Sequence, residues 1–193
     1  RVFVPRAELP DFAAELAAGA EALTVGDPTK AETQCGPLIR PAEVDRVASW
    51  VDAAVQGGGR LAAGGKRTGS TLYQPTVLVD PPDDADVSRK EVFGPVVCIY
   101  GYDDVDAAIG QANALPYAFQ AAVFTDRMSW ADYCVEALAA SAVMVNDHTA
   151  FRVDWMPFAG RRQSGLGTGG IGYTMADMSE EKMVVVNAPS SVR

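Results

Sequence analysis

Histidine is nearly absent: the 193 residues contain one, His148. A zinc site built on several imidazoles is thereby excluded, and a Ser-His-Asp triad would have to use that residue. Cysteine is scarce too. Cys35, Cys98 and Cys134 are widely spaced, with no C-x-x-C between them. Buried thiols in a reducing cytosol are the expectation, so the protein reads as cytoplasmic and without a metal site. Basic charge is short: 16 Lys and Arg against 25 Asp and Glu leave a formal net charge of -9. No Lys/Arg cluster relieves that acidity, so no nucleic-acid partner is expected. The apolar runs stop far short of the roughly 20 residues a membrane helix needs, so no membrane partner is expected either. There is no fixed-period repeat, low-complexity linker or leader pattern. The chain opens at Arg1 without Met and reads as the middle of a larger polypeptide.

What is present fits an ordered fold. The chain is 48% hydrophobic and 21% charged, enough for one domain with a sizeable core. RVFV (1–4) is a short β-branched and aromatic run. Leu9, Phe12, Ala13, Leu16, Ala20 and Leu23 then repeat at helical spacing, predicting a helix over about 8–24. GDPT (26–29) is turn chemistry. Val44, Val47, Val51 and Val55 predict a second helix that opens at Pro41 and ends at Gly57-Gly58-Gly59. Strands are expected at 60–63, 76–80, 96–102, 120–125, 142–146 and 182–186. Helices are expected from Val105 and over 129–140. Apolar strands separated by helices imply right-handed β-α-β units. The expected class is α/β, a mostly parallel sheet with helices on both faces.

Four features carry candidate chemistry. SGLGTGG (164–170) contains a literal G-x-G-x-x-G. It follows Arg161-Arg162-Gln163 rather than an apolar strand, and the acids Asp177, Glu180 and Glu181 come too early for a ribose contact. A loop with left-handed positions is the expectation. His148, in NDHTAF, follows a strand end but has no serine or cysteine motif beside it, so a surface role is expected. No cysteine has the cationic neighbours that lower a thiol pKa. KEVFGPVV (90–97) leaves two readings open. Glu91 could accept hydrogen bonds from vicinal hydroxyls, with Phe93 packing on a flat ring. Alternatively Glu91 is a surface partner of Lys90, and Phe93 lies in the core.

KEVFGPVV resembles the aldehyde dehydrogenase signature, in which Glu-(Ile/Val)-Phe-Gly-Pro leads into a strand. Further blocks agree in order: RVFV with its helix, VGDP…CGPLI, YQPTVLVD, AVFTDR, AVMVND and MPFAGRRQSGLG. The resemblance spans essentially the whole chain. It implies the carboxyl-terminal part of the catalytic domain, residues 1–180, beginning just after the nucleophilic cysteine. An oligomerisation strand and tail would follow over 181–193, with 182–186 pairing to another subunit and dimer or tetramer left open.

The resemblance implies a role for five residues. Glu91 would hold the nicotinamide ribose of NAD or NADP, and Phe93 would pack on the nicotinamide end. Phe151 and Phe158 would wall the substrate tunnel. Arg152 would meet an anionic group on the substrate, although a structural pair with Asp154 is the simpler expectation. No catalytic residue of the family falls within the chain, so the fragment is expected to be inactive alone. Ala159, Arg162, Thr168-Gly169 and Phe119-Gln120 depart from the family's usual residues and bear on the tunnel's specificity. The implied activity is oxidation of an aldehyde to a carboxylic acid with reduction of NAD(P)+. A CoA-acylating relative and a truncated, non-catalytic assembly module are the alternatives.

Overall fold

A short strand, β1 (Val2–Pro5), is followed by helix α1 (Leu9–Ala22), which takes Pro10 in its first turn, where a missing N–H costs nothing. The structure, a computed structural model, describes residues 1–187. The chain divides into two compact units, Arg1–Ala112 and Asn113–Arg193. The first unit continues with α2 (Pro41–Gln56), β2 (Arg60–Ala63), β3 (Thr76–Val79), α3 (Asp86–Arg89) and β4 (Val96–Tyr102). Helix α4 (Val105–Asn113) ends it.

The four strands form one sheet in the order β1-β4-β3-β2. β1 and β3 both run parallel to β4, and β2 is an antiparallel edge. The alternation of side chains along β3 explains why helices cover both faces. Leu78 points into a cluster with Val44, Val47 and Val51 of α2 and Val87 of α3. Val77 and Val79 point the other way, onto Leu9 and Ala13 of α1 and Ile99 of β4. All of β3 is buried. Each such aliphatic side chain contributes about 1.5–3 kcal/mol on removal from water. The mostly parallel sheet with two covered faces is therefore the architecture read from the sequence.

Helix α2 carries the site. Its buried stripe, Val44, Val47, Val51 and Ala54, follows the helical period, and its opposite face keeps Asp45, Asp52 and Ser49 in water. Gly57 closes it as expected, donating its N–H to the Ala53 carbonyl.

The second unit contains β5 (Tyr117–Ala118), β6 (Gln120–Val123), α5 (Met128–Ala137), β7 (Ala142–Val145), β8 (Arg161–Arg162) and α6 (Ile171–Asp177). β6 and β7 pair in parallel, with α5 as the crossover between them. β5 and β8 pair antiparallel, and the Arg162 guanidinium donates to the carbonyls of Asn113 and Leu115. The Asn113 amide in turn donates to the Ala137 carbonyl at 2.8 Å and accepts from the Ala139 N–H.

Residues 182–186 are expected as a strand that pairs with another subunit. Among the described residues they join no ladder, and Met183, Val184, Val185 and Val186 are between 71% and 87% exposed. A strand exists only by pairing, and no edge among the described residues takes this segment. The rest of the expected tail, 188–193, lies outside the described residues. α3, α6 and the two-residue strands β5 and β8 were not foreseen, because they are too short to show a period.

Candidate functional site

The turn between α3 and β4 answers the question set by Glu91 and Phe93. Its sequence alternates direction residue by residue. Val92 is half-buried and packs on the cluster beneath α2. Phe93 takes a left-handed φ of 46°, which turns its ring away from that cluster. The ring is 76% exposed. Gly94 then lies directly against α2, where a Cβ would stand 2.9 Å from Val47 Cγ2. Pro95 accepts a hydrogen bond from the Thr76 N–H at 2.8 Å, which sets the register of β4 on β3. Glu91 is exposed, and Lys90 pairs with Asp86 at 2.9 Å. Neither half of the second reading, a core Phe93 and a Lys90–Glu91 pair, is found.

Glu91 and Phe93 line one cleft of about 760 Å³, shared with Cys35, Leu38, Ile39 and Trp50. The wall from Cys35 to Ile39 is held by local hydrogen bonds. The Gly26 N–H donates to the Cys35 carbonyl at 3.1 Å, and the Leu38 N–H donates to the Thr71 carbonyl at 2.8 Å. Asp27 accepts from both the N–H and the hydroxyl of Thr29, which holds its carboxyl below the usual carboxylate range.

The floor of the cleft is a polar cluster on α2. The Arg46 guanidinium donates to Glu43 Oε2 at 2.7 Å and to the Val92 carbonyl at 2.6 Å. It lies 4.4 Å from the centre of the Trp50 ring, and Lys90 Nζ lies 5.5 Å from the same ring. Arg40 adds a second pairing to Glu43 at 2.9 Å. Hydrogen bonds from Arg46, then from Arg40, pull the Glu43 carboxyl below its ordinary pKa. The sequence reading missed this cluster. Its signal was the spacing Glu43, Arg46, Trp50, which places all three on one helical face.

The other candidates lie in the second unit. Phe158 meets Phe119 edge to face, with centroids 4.9 Å apart. The Arg152 guanidinium lies 4.3 Å from the centre of the Phe158 ring. The simpler expectation, an Arg152–Asp154 ion pair, is not found among the described residues, although both line a second cleft of about 610 Å³ with Thr174 and Met178 of α6. The guanidinium therefore keeps its N–H groups clear of a carboxylate. Phe151 is partly exposed and donates its N–H to the His148 carbonyl at 3.1 Å.

Gly167 and Gly170 have φ of 73° and 116°. A Cβ on Gly170 would lie 2.6 Å from the Met156 carbonyl oxygen, so the segment is tight loop chemistry. His148 is exposed, 3.9 Å from Asp147 Oδ1. None of the three cysteines is in a disulfide, and Cys98 and Cys134 are buried. Burial pushes the Cys98 thiol up, away from nucleophilic character. No group of three or more His, Cys, Asp or Glu among the described residues could hold a metal ion. No described helix is long and apolar enough to cross a membrane.

The described residues thus form two α/β units, one of which presents an exposed carboxylate and aromatic at a strand entrance. The aldehyde dehydrogenase family model matches residues 1–184, and the chain belongs to that family. A 3-sulfolactaldehyde dehydrogenase of Priestia megaterium is 39% identical over 187 residues, covering 97% of this chain and 39% of the relative. Aldehyde dehydrogenase 21 of Physcomitrella patens, solved with its reaction product succinate, superposes with a TM-score of 0.91 at 33% identity. That match covers 98% of this chain and 39% of the other. An aldehyde dehydrogenase of Bacillus cereus, solved as its NAD+ complex, superposes with a TM-score of 0.89 at 31% identity, covering 98% of this chain and 39% of the other. The chain thus spans about two fifths of the length of the relatives it matches.

Proposed function

We propose that this chain supplies the nicotinamide-ribose end of the cofactor site, and part of the substrate wall, of an NAD(P)-dependent aldehyde dehydrogenase. The parent enzyme oxidises a small aldehyde to its carboxylic acid. The observation that carries this reading is the outward rotation of Phe93 beside an exposed Glu91, at a turn locked onto α2 by Gly94. Burying a phenylalanine ring is worth kilocalories, so an aromatic face held outward in a braced turn has that much to offer a flat ligand.

The residues present fit such a cofactor. A carboxylate is an acceptor-only group with two oxygens, suited to the adjacent hydroxyls of a ribose. An aromatic face suits a flat heterocycle. When bound, the cofactor accepts a hydride from the substrate. The chain's own residues bind and orient: Glu91 holds the sugar, Phe93 covers the ring, and Leu38 and Ile39 add an apolar wall to the same cleft.

Arg152, stacked on Phe158 and free of Asp154, is the candidate partner for an anionic group on the aldehyde, with Phe151 beside it in sequence. The names of two relatives support that role, since sulfolactaldehyde and succinate both carry a strong anion. The apolar stretch 182–186 is proposed to pair with another subunit's sheet in a homo-oligomer. Three cysteines outside any disulfide suit a cytoplasmic enzyme.

The nucleophile and the base that activates water are proposed to come from the rest of the parent enzyme. These residues assayed alone, with NAD+ or NADP+ and short aldehydes, are expected to show no turnover; steady turnover would overturn that. The main test is Glu91→Gln and Phe93→Ala in the parent enzyme. Each is expected to raise KM for NAD(P)+ about tenfold, the size of one lost strong contact. An unchanged cofactor KM in both variants sinks the reading.

A further inference from the structure

We propose that Arg46 is a positioning residue for the cofactor site, acting through the Val92 carbonyl it holds. This rests on the reading of Glu91 and Phe93 given above. A left-handed φ at a non-glycine residue costs on the order of 1–3 kcal/mol and persists only where the surroundings hold it. At Phe93 the φ of 46° is set by the orientation of the Val92–Phe93 peptide plane. The oxygen of that plane is the acceptor of the Arg46 Nη2 bond at 2.6 Å. If the plane turned over, the bond would break, and φ at Phe93 would return to the ordinary negative region. The Phe93 ring and the Glu91 carboxylate would then leave their common cleft.

Arg46 is itself immobilised from three directions. Its Nε is held by Glu43 at 2.7 Å. Its plane lies over Trp50 at 4.4 Å. Its stem rises from α2 beside Val47, the residue against which Gly94 packs. The turn is thus clamped at successive positions from one helix, by a charged hydrogen bond at Val92 and by a close van der Waals contact at Gly94. Lys90 approaches the far ring of the cluster at 5.5 Å, so the entry to the turn shares the same tryptophan. A guanidinium can hold all of these contacts at once because its donors are fixed in one plane; an ammonium can reach the carbonyl but has no planar face to lay on the indole and no fixed fork of donors.

The test uses the parent enzyme with Arg46→Met, Arg46→Lys and Glu43→Gln, and with Arg46→Met combined with Glu91→Gln. Three quantities are read: the Kd for NADH and NADPH by fluorescence, kcat at saturating cofactor, and hydrogen–deuterium exchange over residues 91–97 without cofactor. Arg46→Met is expected to weaken Kd about tenfold, the loss of one charge-assisted hydrogen bond. It is expected to leave kcat within about twofold, because the residue touches no reacting atom. Exchange over the turn should rise. Lysine should restore part of the affinity, and Glu43→Gln should shift Kd the same way by less. In the Glu91→Gln background Arg46→Met should weaken Kd by less than it does alone, since the ribose contact is already lost and only the Phe93 contact remains to be displaced.

An unchanged Kd in Arg46→Met, with Glu91→Gln still weakened, overturns the inference and leaves the cofactor reading standing. Full additivity of the two substitutions also overturns it. An unchanged Kd in Glu91→Gln removes both. Should Arg46→Met fail to fold, Arg46→Lys and Glu43→Gln carry the same readouts, and an unchanged Kd and exchange in both defeats the inference.

Discussion

Gly94 sits so close beneath α2 that a methyl group on it would stand 2.9 Å from Val47 Cγ2. Val47 is fully buried and β-branched, so it has no other rotamer to move into. Gly94→Ala is therefore expected to cost about 1–3 kcal/mol of stability, measured by urea unfolding, and to weaken cofactor binding as the turn lifts. An unchanged midpoint and unchanged affinity would show that the contact is not tight.

Arg152 stacks on Phe158 without an acidic partner among the described residues, and this separates two classes of substrate. Arg152→Ala in the parent enzyme is expected to raise KM about tenfold for an aldehyde bearing a carboxylate or sulfonate. The KM for butanal should change little. Equal rises for both substrates would make Arg152 part of the scaffold.

Two buried tyrosines of Leu78's cluster differ in one respect. The Tyr100 hydroxyl donates to Ser88 Oγ at 2.8 Å, and the Ser88 hydroxyl donates in turn to the Pro82 carbonyl. The Tyr73 hydroxyl is buried with no hydrogen-bond partner among the described residues. Tyr100→Phe is expected to lower stability by about 1 kcal/mol, and Tyr73→Phe to leave it unchanged or raise it, because it removes a desolvated group. Equal losses on urea unfolding would mean that Tyr73 has a partner after all.

The same pair makes the fold sensitive to alkali. Burial raises the Tyr100 pKa foremost, and likewise that of Tyr73. The unfolded chain gives up these protons near pH 10, while the folded chain keeps them. Their contribution is whole below about pH 10 and is lost as pH rises beyond it. Unfolding midpoints from pH 8 to 11 should fall at the upper end, and Tyr100→Phe should flatten that fall. A slope unaffected by the substitution would assign the sensitivity elsewhere.

Cys35 lines the cleft with Glu91 and Phe93, whereas Cys98 and Cys134 are buried. Iodoacetamide labelling with peptide mapping should modify Cys35 well before the other two. NADH or NADPH should slow that labelling in the parent enzyme. No protection by either would place the cofactor outside this cleft.

Much of this was legible in the chain. The alternation of apolar runs determined an α/β unit with a sheet covered on both faces, because β3 has apolar side chains on each side and α1 and α2 each carry one apolar stripe. Pro41 and Gly57 marked the ends of α2 because one lacks a donor and the other lacks a Cβ. The order Glu-Val-Phe-Gly-Pro placed a candidate site at a strand entrance. Tertiary structure alone decided which way that turn faces. Phe93 is in water because Arg46, far away in sequence, holds the preceding carbonyl, and because Val47 leaves room only for a glycine at 94. It also decided that Arg152 does not pair with its neighbour Asp154, and that 182–186 joins no ladder among the described residues. Local pattern encodes which residues seek burial. Pairing between distant residues depends on where the fold brings their backbones, and no window of sequence contains that.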